Sequence, residues 1–207
     1  KKFDTGMNTC AIKSDDTLWC WGPNSSGQGG DGTTADQLVA TTISGGGNWT
    51  DVDVGGYYAC AVNAAGTLYC WGSNSYGATV YGNSAGNNLT ATMVSGGYTW
   101  KKVSAGERDT CGIKTDDTAM CWGGGTTTPA VVPGGGTWKN IDVGYGYKCA
   151  INLTNNLYCW GGNSSGQLGD GTLIDRLTPV VVSGVSGVVA VVTGSCHACV
   201  LTSASTV

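Results

Sequence analysis

Charge is scarce in this 207-residue chain: 12% of its residues are Asp, Glu, Lys or Arg, and the ten basic ones are scattered against fourteen acidic ones. A nucleic-acid partner needs a clustered basic face to displace counterions from phosphates, so none is expected. Histidine occurs once, at His197, too few to complete a zinc set. No apolar run is long enough to cross a membrane as a helix, which argues against membrane insertion. There is no leader segment and no initiator Met, so the chain reads as a mature or excised product. Phe occurs once and long helix formers are few, so helix should be nearly absent.

Glycine, by contrast, is abundant: 36 residues against eight Trp, nine Tyr and ten Cys, well above the usual share of about 7%. Short strands joined by tight turns are the expected product. A unit of the form Cys-Ala-(Ile/Val)-x6-Cys-Trp-Gly occurs four times. It reads CAIKSDDTLWCWG from Cys10, CAVNAAGTLYCWG from Cys60, CGIKTDDTAMCWG from Cys111 and CAINLTNNLYCWG from Cys149. A fifth copy starts at Cys199 as CVLTSASTV. Repeats of roughly 40 to 50 residues signal stacked supersecondary units such as propeller blades, none of which buries its apolar faces alone. The repeats divide as 1–47, 48–98, 99–136 and 137–186, with a partial one at 187–207, all within a single domain.

Each unit reads as a stapled hairpin. Opposed residues in an antiparallel hairpin have a constant index sum, so pairing Cys10 with Cys20 sets Ile12 against Leu18, Ala11 against Trp19 and Thr9 against Trp21. The second unit sets Val62 against Leu68 and Ala61 against Tyr69, and the fourth sets Ile151 against Leu157 and Lys148 against Trp160. Small residues thus oppose bulky ones, and both faces are apolar, which places each hairpin between two layers. The same register leaves a three-residue loop whose last position wants positive φ. That position holds Asp16, Gly66, Asp117 and Asn155, residue types that tolerate it. Disulfides Cys10–Cys20, Cys60–Cys70, Cys111–Cys121 and Cys149–Cys159 are therefore expected, and with them an oxidising, extracellular or secretory compartment. The alternative of metal ligation fails because each hairpin brings only two thiols together. Cys196 is the one other candidate partner for Cys199. An extended backbone separates their Cα atoms by about 10 Å, against a usual range of roughly 4.4 to 6.8 Å, so a bridge there requires a bend over 195–198.

Before each hairpin runs a strand such as NWTDVDVG at Asn48–Gly55, TWKKVSAG at Thr99–Gly106 or TWKNIDVG at Thr137–Gly144. After it comes a Gly-rich turn, PNSSGQGGDGT following Gly22 and GNSSGQLGDGT following Gly161, then a β-branched run. Three to four strands per repeat is blade-like. This succession of V-x-x-G, hairpin and W-G-x-N-x-x-G-Q-L-G resembles the repeat of the regulator of chromosome condensation family of β-propellers. The likeness is greatest to its secreted, disulfide-bearing version found in bacteria. WGGNSSGQLGDGT at Trp160–Thr172 is the closest expression of the motif. The resemblance implies an all-β propeller or open propeller arc of four full blades and a partial fifth.

The departures from the pattern are informative. The family's His before the hairpin is Asn8, Tyr58, Asp109 and Tyr147 here, and only His197 keeps it. Repeat three lacks the GQLGDGT turn and runs directly through WGGGTTTPAVVPGGG, while repeat two has GATVYGNSAGNNLT in its place. Family rings commonly have about seven blades, so either a longer propeller or assembly through open strand edges is expected.

Candidate chemistry is sparse. His197 lies between Cys196 and Cys199, but neighbouring strand residues face opposite ways. The pairs Asp15-Asp16 and Asp116-Asp117 sit at hairpin tips, where Asp favours turns. The GDGT turns lack the nine-residue period of stacked calcium repeats. Asn24, Asn48, Asn88, Asn152 and Asn163 begin N-x-Ser/Thr sequons. No enzymatic activity, cofactor or metal is expected. The loops entering the hairpins differ from blade to blade and should share one rim: Met7 and Asn8; Tyr57 and Tyr58; Glu107, Arg108 and Asp109; Tyr145 and Tyr147. They form a candidate recognition surface for a protein or surface ligand. The sequence thus points to a non-enzymatic extracellular binding or structural module of a surface, appendage or virus particle, with a soluble propeller-type inhibitor that grips an enzyme through rim loops as the alternative. Guanine-nucleotide exchange, which the resemblance brings to mind, is disfavoured by the disulfides and the lack of a basic face.

Overall fold

The computed structural model describes residues 2–79, 86–134 and 136–203. The middle of the GATVYGNSAGNNLT segment and the last four residues of the partial repeat lie outside them. The described residues form eighteen strands and no helix. Blade one is β1 (Lys2–Thr5), β2 (Thr9–Ile12), β3 (Leu18–Gly22) and β4 (Gln37–Thr42). Blade two is β5 (Trp49–Val54), β6 (Tyr58–Asn63), β7 (Leu68–Ser73) and β8 (Asn87–Met93). Blade three is β9 (Trp100–Ala105), β10 (Asp109–Lys114), β11 (Ala119–Gly123) and β12 (Thr126–Val131). Blade four is β13 (Trp138–Val143), β14 (Tyr147–Asn152), β15 (Leu157–Gly161) and β16 (Arg176–Val181), and β17 (Val188–Thr193) with β18 (Ala198–Thr202) begins a fifth. Every blade is an antiparallel meander in chain order. The first strands β1, β5, β9, β13 and β17 pack in succession, as the inner strands of a propeller do.

The hairpin register is the one the parity rule predicts. Cys10 faces Cys20, Ala11 faces Trp19, Ile12 faces Leu18 and Thr9 faces Trp21, and the other three units repeat the pattern. All four disulfides are formed within blades. Positive φ falls on Asp16, Gly66, Asp117 and Asn155, between 65° and 76°. The structure adds a reason for these corners. The carbonyls of Asp16, Gly66, Asp117 and Asn155 point out of the turn and accept the backbone N–H of Trp49, Trp100, Trp138 and Val188, at 2.8 to 3.0 Å. A left-handed corner on one blade thereby anchors the first residue of the next.

The core lies between blades. Each hydrophobic cluster draws on two neighbouring sheets: Cys10, Ile12, Leu18 and Cys20 of blade one, for example, pack on Trp49, Val52, Val54 and Trp71 of blade two. Paired indoles recur within the blades, Trp49 with Trp71 at 6.4 Å, Trp100 with Trp122 at 5.8 Å and Trp138 with Trp160 at 6.2 Å. Blade three is the short one. Its third and fourth strands join directly, Gly123 pairing with Thr126, where blade one inserts a long turn between the pair Gly22 and Gln37.

The one further candidate pairing is not made. Cys196 and Cys199 form no bridge; both are free and exposed. Cys199 sits in regular β18, paired with Val192 of β17, while Cys196 lies in the loop before the strand. The chain does bend at Ser195 and Cys196, but the bend leaves the two thiols unpaired.

Candidate binding face

The segments linking the first and second strands converge at one end of the axis. Thr5–Met7, Val54–Tyr57, Ala105–Glu107, Val143–Tyr145 and Thr193–Ser195 line a shared depression of about 440 Å³. Two repeated devices hold it. The first is a side-chain lock near the end of each inner strand. Asp4 accepts the N–H of Val54 at 2.7 Å, Asp53 that of Ala105 at 2.7 Å, Ser104 that of Val143 at 3.0 Å, and Asp142 both the N–H and the hydroxyl of Thr193. The second is close backbone packing two residues on. A β-carbon at Gly55 would lie 2.2 Å from the Gly106 carbonyl oxygen, and one at Gly6 would lie 2.3 Å from that of Gly55. Only glycine permits such an approach.

These locks bury charge. Burial raises the Asp53 carboxyl well above its ordinary value, the Asp4 charge adds to the effect, and Lys2 and the Ala105 N–H oppose it. Burial raises Asp142 as well, against the pull of its Thr193 bonds. Lys2 bonds Asp51 at 2.7 Å and lies 3.8 Å from Asp53.

Eight of the nine rim positions separate into two sets. Met7, Tyr57, Glu107, Arg108 and Tyr145 are exposed, with Met7, Tyr57 and Tyr145 at 44 to 47%. Asn8, Tyr58 and Tyr147 are buried and face their neighbours. Tyr58 donates to the Asp109 carbonyl at 2.7 Å and accepts from Thr110 at 2.9 Å, while Tyr147 donates to the His197 carbonyl. Burial pushes the Tyr147 phenol up to about 12 and the Tyr58 phenol higher still. Tyr58 and Tyr147 thus join blades, whereas Asn8 donates to the Gln28 carbonyl within blade one. Asp109 is half-buried and pairs with Lys148 at 2.6 Å.

Arg108 is the centre of the exposed set. Its guanidinium lies 4.5 Å from the Tyr76 ring of blade two and 5.5 Å from the Tyr145 ring of blade four, so two aromatic planes hold it across three blades. Sequence reading missed Tyr76, which comes from a turn far along the chain. It also missed the Asp/Ser locks, although the D-x-G spelling at Asp4, Asp53 and Asp142 carried the signal. Two sequon asparagines have structural duties. Asn24 and Asn163 are fully buried, and their amides donate to Asp31, Thr33 and Ala35, and to Asp170, Thr172 and Ile174. Asp170 is held down to about 2 by bonds from Thr172 and Arg176. His197 is exposed, with its ring against Gly194.

Comparison with known proteins agrees with this architecture. Residues 155–201 match a family profile described as "Regulator of chromosome condensation (RCC1) repeat", and residues 8–28 and 49–78 match a second profile of the same description. No curated protein sequence matches the chain. Among solved structures, human WBSCR16 superposes with a TM-score of 0.89 at 19% identity, over 97% of this chain and 57% of that one. Prp20p of Saccharomyces cerevisiae gives 0.78 at 14% identity, over 94% and 53%. The CRINKLY WD40 ectodomain of the Arabidopsis thaliana receptor kinase ACR4 gives 0.61 at 16%, over 98% and 59%. The chain thus spans little more than half the length of these structures. The matched segments are RCC1 repeats, and blades of one recurring topology give the described residues as a whole a disulfide-stapled, propeller-like fold.

Proposed function

We propose that this chain is a non-enzymatic scaffold and binding module of the secreted, disulfide-bearing version of the family, working outside the cell as part of a longer propeller or an assembly. The observation that carries the reading is the loop face. Exposed Tyr57, Tyr145, Met7 and Arg108 stand on a frame whose inner strands are locked blade to blade, and rigid aromatics with Arg are the side chains that dominate protein recognition. Four disulfides point to an oxidising compartment. The fold is compatible with this use. One similar structure is an ectodomain of a receptor kinase, and Prp20p is described with binding properties to Gsp1p and histones.

Continuation of the arc has a structural argument of its own. Trp71 and Trp122 each donate to a carbonyl in the turn of the preceding blade. On blade four the matching turn, Gly166–Gly169, borders an open apolar recess of about 320 Å³ with Leu157, Val182, His197 and Val200. A further strand on β18 carrying Cys-Trp would face Cys199 and fill that recess. Intact-mass and native-mass measurement of the protein from its source tests the proposal. A polypeptide well above 21.0 kDa, or a large particle of 21.0 kDa chains, is expected. A monomeric 21 kDa protein that turns over a hydrolysable substrate would overturn it.

A further inference from the structure

We infer that the seam between blades three and four is a peptide-binding socket, and that its occupant is an acidic loop of a partner protein. In the two preceding seams the third-strand Trp of the later blade finds a backbone carbonyl on the earlier blade's turn. Trp71 donates to Gln28 at 2.8 Å and Trp122 to Ala78 at 2.9 Å, and Thr110 shares the Ala78 carbonyl. Blade three has no such turn, because Gly123 returns directly to Thr126. The equivalent Trp160 therefore meets no turn carbonyl of blade three among the described residues. Lys148, the equivalent of Thr110 and opposite Trp160 in the ladder, turns instead to Asp109.

The space left open is a polar cleft of about 510 Å³ between Arg108, Asp109, Thr126, Tyr145 and Lys148. Its charge is specific. Lys148 and Asp109 neutralise each other at the base, with side chains only 16% and 14% exposed. No carboxylate forms an ion pair with Arg108 among the described residues, and the Tyr76 and Tyr145 rings flank its guanidinium. A planar guanidinium held ready in this way accepts a carboxylate in a two-bond fork with little further loss of side-chain entropy. The seam therefore offers one fixed cation, an aromatic wall and room for a single turn of backbone, in a chain whose net charge is −4. An acidic peptide turn satisfies all three.

The inference rests on reading the loop face as a protein-binding surface, so the experiment separates the two. A phage-displayed library of disulfide-cyclised random peptides is selected on the intact protein, and enriched peptides are synthesised and their affinity measured. Binders should be rich in Asp or Glu and should lose at least about tenfold in affinity with Arg108→Ala. They should also fail to bind a variant in which residues 23–36 replace Gly124 and Gly125, which rebuilds the missing turn. If that variant does not fold, Arg108→Ala decides alone. Tyr57→Ser reports on the funnel outside the cleft. Peptides that depend on Tyr57 and ignore Arg108 would overturn the socket and leave the binding face standing. Peptides without acidic enrichment, or none at all, would also overturn the socket.

Discussion

Trp71 of blade two donates its indole N–H to the carbonyl of Gln28 in blade one, 2.8 Å across the seam, and a β-carbon at Gly30 would meet the same ring at 2.8 Å. The turn of one blade is thus shaped by the tryptophan of the next, and cooperativity between repeats follows from such shared contacts. Trp71→Phe retains most of the buried area but removes the donor, and should cost about 1 kcal/mol. Trp71→Ala should cost about 3 to 5 kcal/mol. Urea midpoints at constant slope measure both; no loss for Trp71→Phe would show that the hydrogen bond carries nothing beyond packing.

The glycines that end the inner strands are a sharper test of blade-to-blade contact. Gly55→Ala puts a methyl 2.2 Å from the Gly106 carbonyl oxygen, where backbone faces backbone and no side chain can swing aside. A loss of about 1 to 3 kcal/mol is expected, together with separation of blades two and three in hydrogen exchange. Gly45→Ala is the control: its added carbon meets nothing within 4 Å, but its φ of 101° strains any side chain, so it reports backbone strain without the clash.

How far the sequence could be read depends on the range of the interaction. The hairpin register, the staples and the left-handed corners are all decided within about a dozen residues, and Cys10 to Gly22 spells them out. The seams are decided by residues roughly fifty apart. Asp53 locking Ala105 and Tyr58 reaching the Asp109 carbonyl leave only a repeated letter as a trace. Parity could not say that Tyr58 and Tyr147 would be buried while Tyr57 and Tyr145 stayed in solvent, because the loop that holds them has no period. The Arg108 cluster was half legible. Arg108 and Tyr145 lie on equivalent loops, but Tyr76 comes from the second repeat's irregular turn, which matches no motif.

Buried locks of this kind should give the protein an uncommon pH response. Burial, reinforced for Asp53 by Asp4, raises the Asp53 and Asp142 carboxyls above their ordinary value. A carboxyl whose folded pKa exceeds its unfolded one binds its proton more tightly when folded. Its stabilising contribution is fully present below the unfolded value and is lost as pH rises through the folded value. Asp170 works in the opposite sense: held at about 2, it stabilises above the ordinary carboxylate range, and that contribution disappears as pH falls toward 2. Asp53→Asn keeps an oxygen for the Ala105 N–H and removes the charge. Its Tm should exceed that of the parent at pH 7, and the difference should vanish near about pH 4. A Tm difference unchanged between those pH values would show that Asp53 ionises as freely as a surface carboxylate.

The disulfides are the final quantity to test, because their number overstates their individual effect. Each joins residues ten apart in a hairpin already paired by its backbone ladder. The loop removed from the unfolded ensemble is short, so chain entropy allows at most roughly 2 to 3 kcal/mol per staple. Replacing Cys60 and Cys70 together by Ala should therefore lower stability by about 2 kcal/mol and leave blade two folded, with its neighbours still packed on Trp71. Reducing all four staples at once should act roughly additively, since the pairs occupy different blades, and that sum is large against a domain stability of about 5 to 15 kcal/mol. The expected result is a protein that survives the loss of any one staple and unfolds when all are reduced. Denaturant melts of the four double variants, with and without reductant, measure this. Collapse of the whole chain on loss of the Cys60–Cys70 staple alone would mean that the blades cannot support one another across their seams.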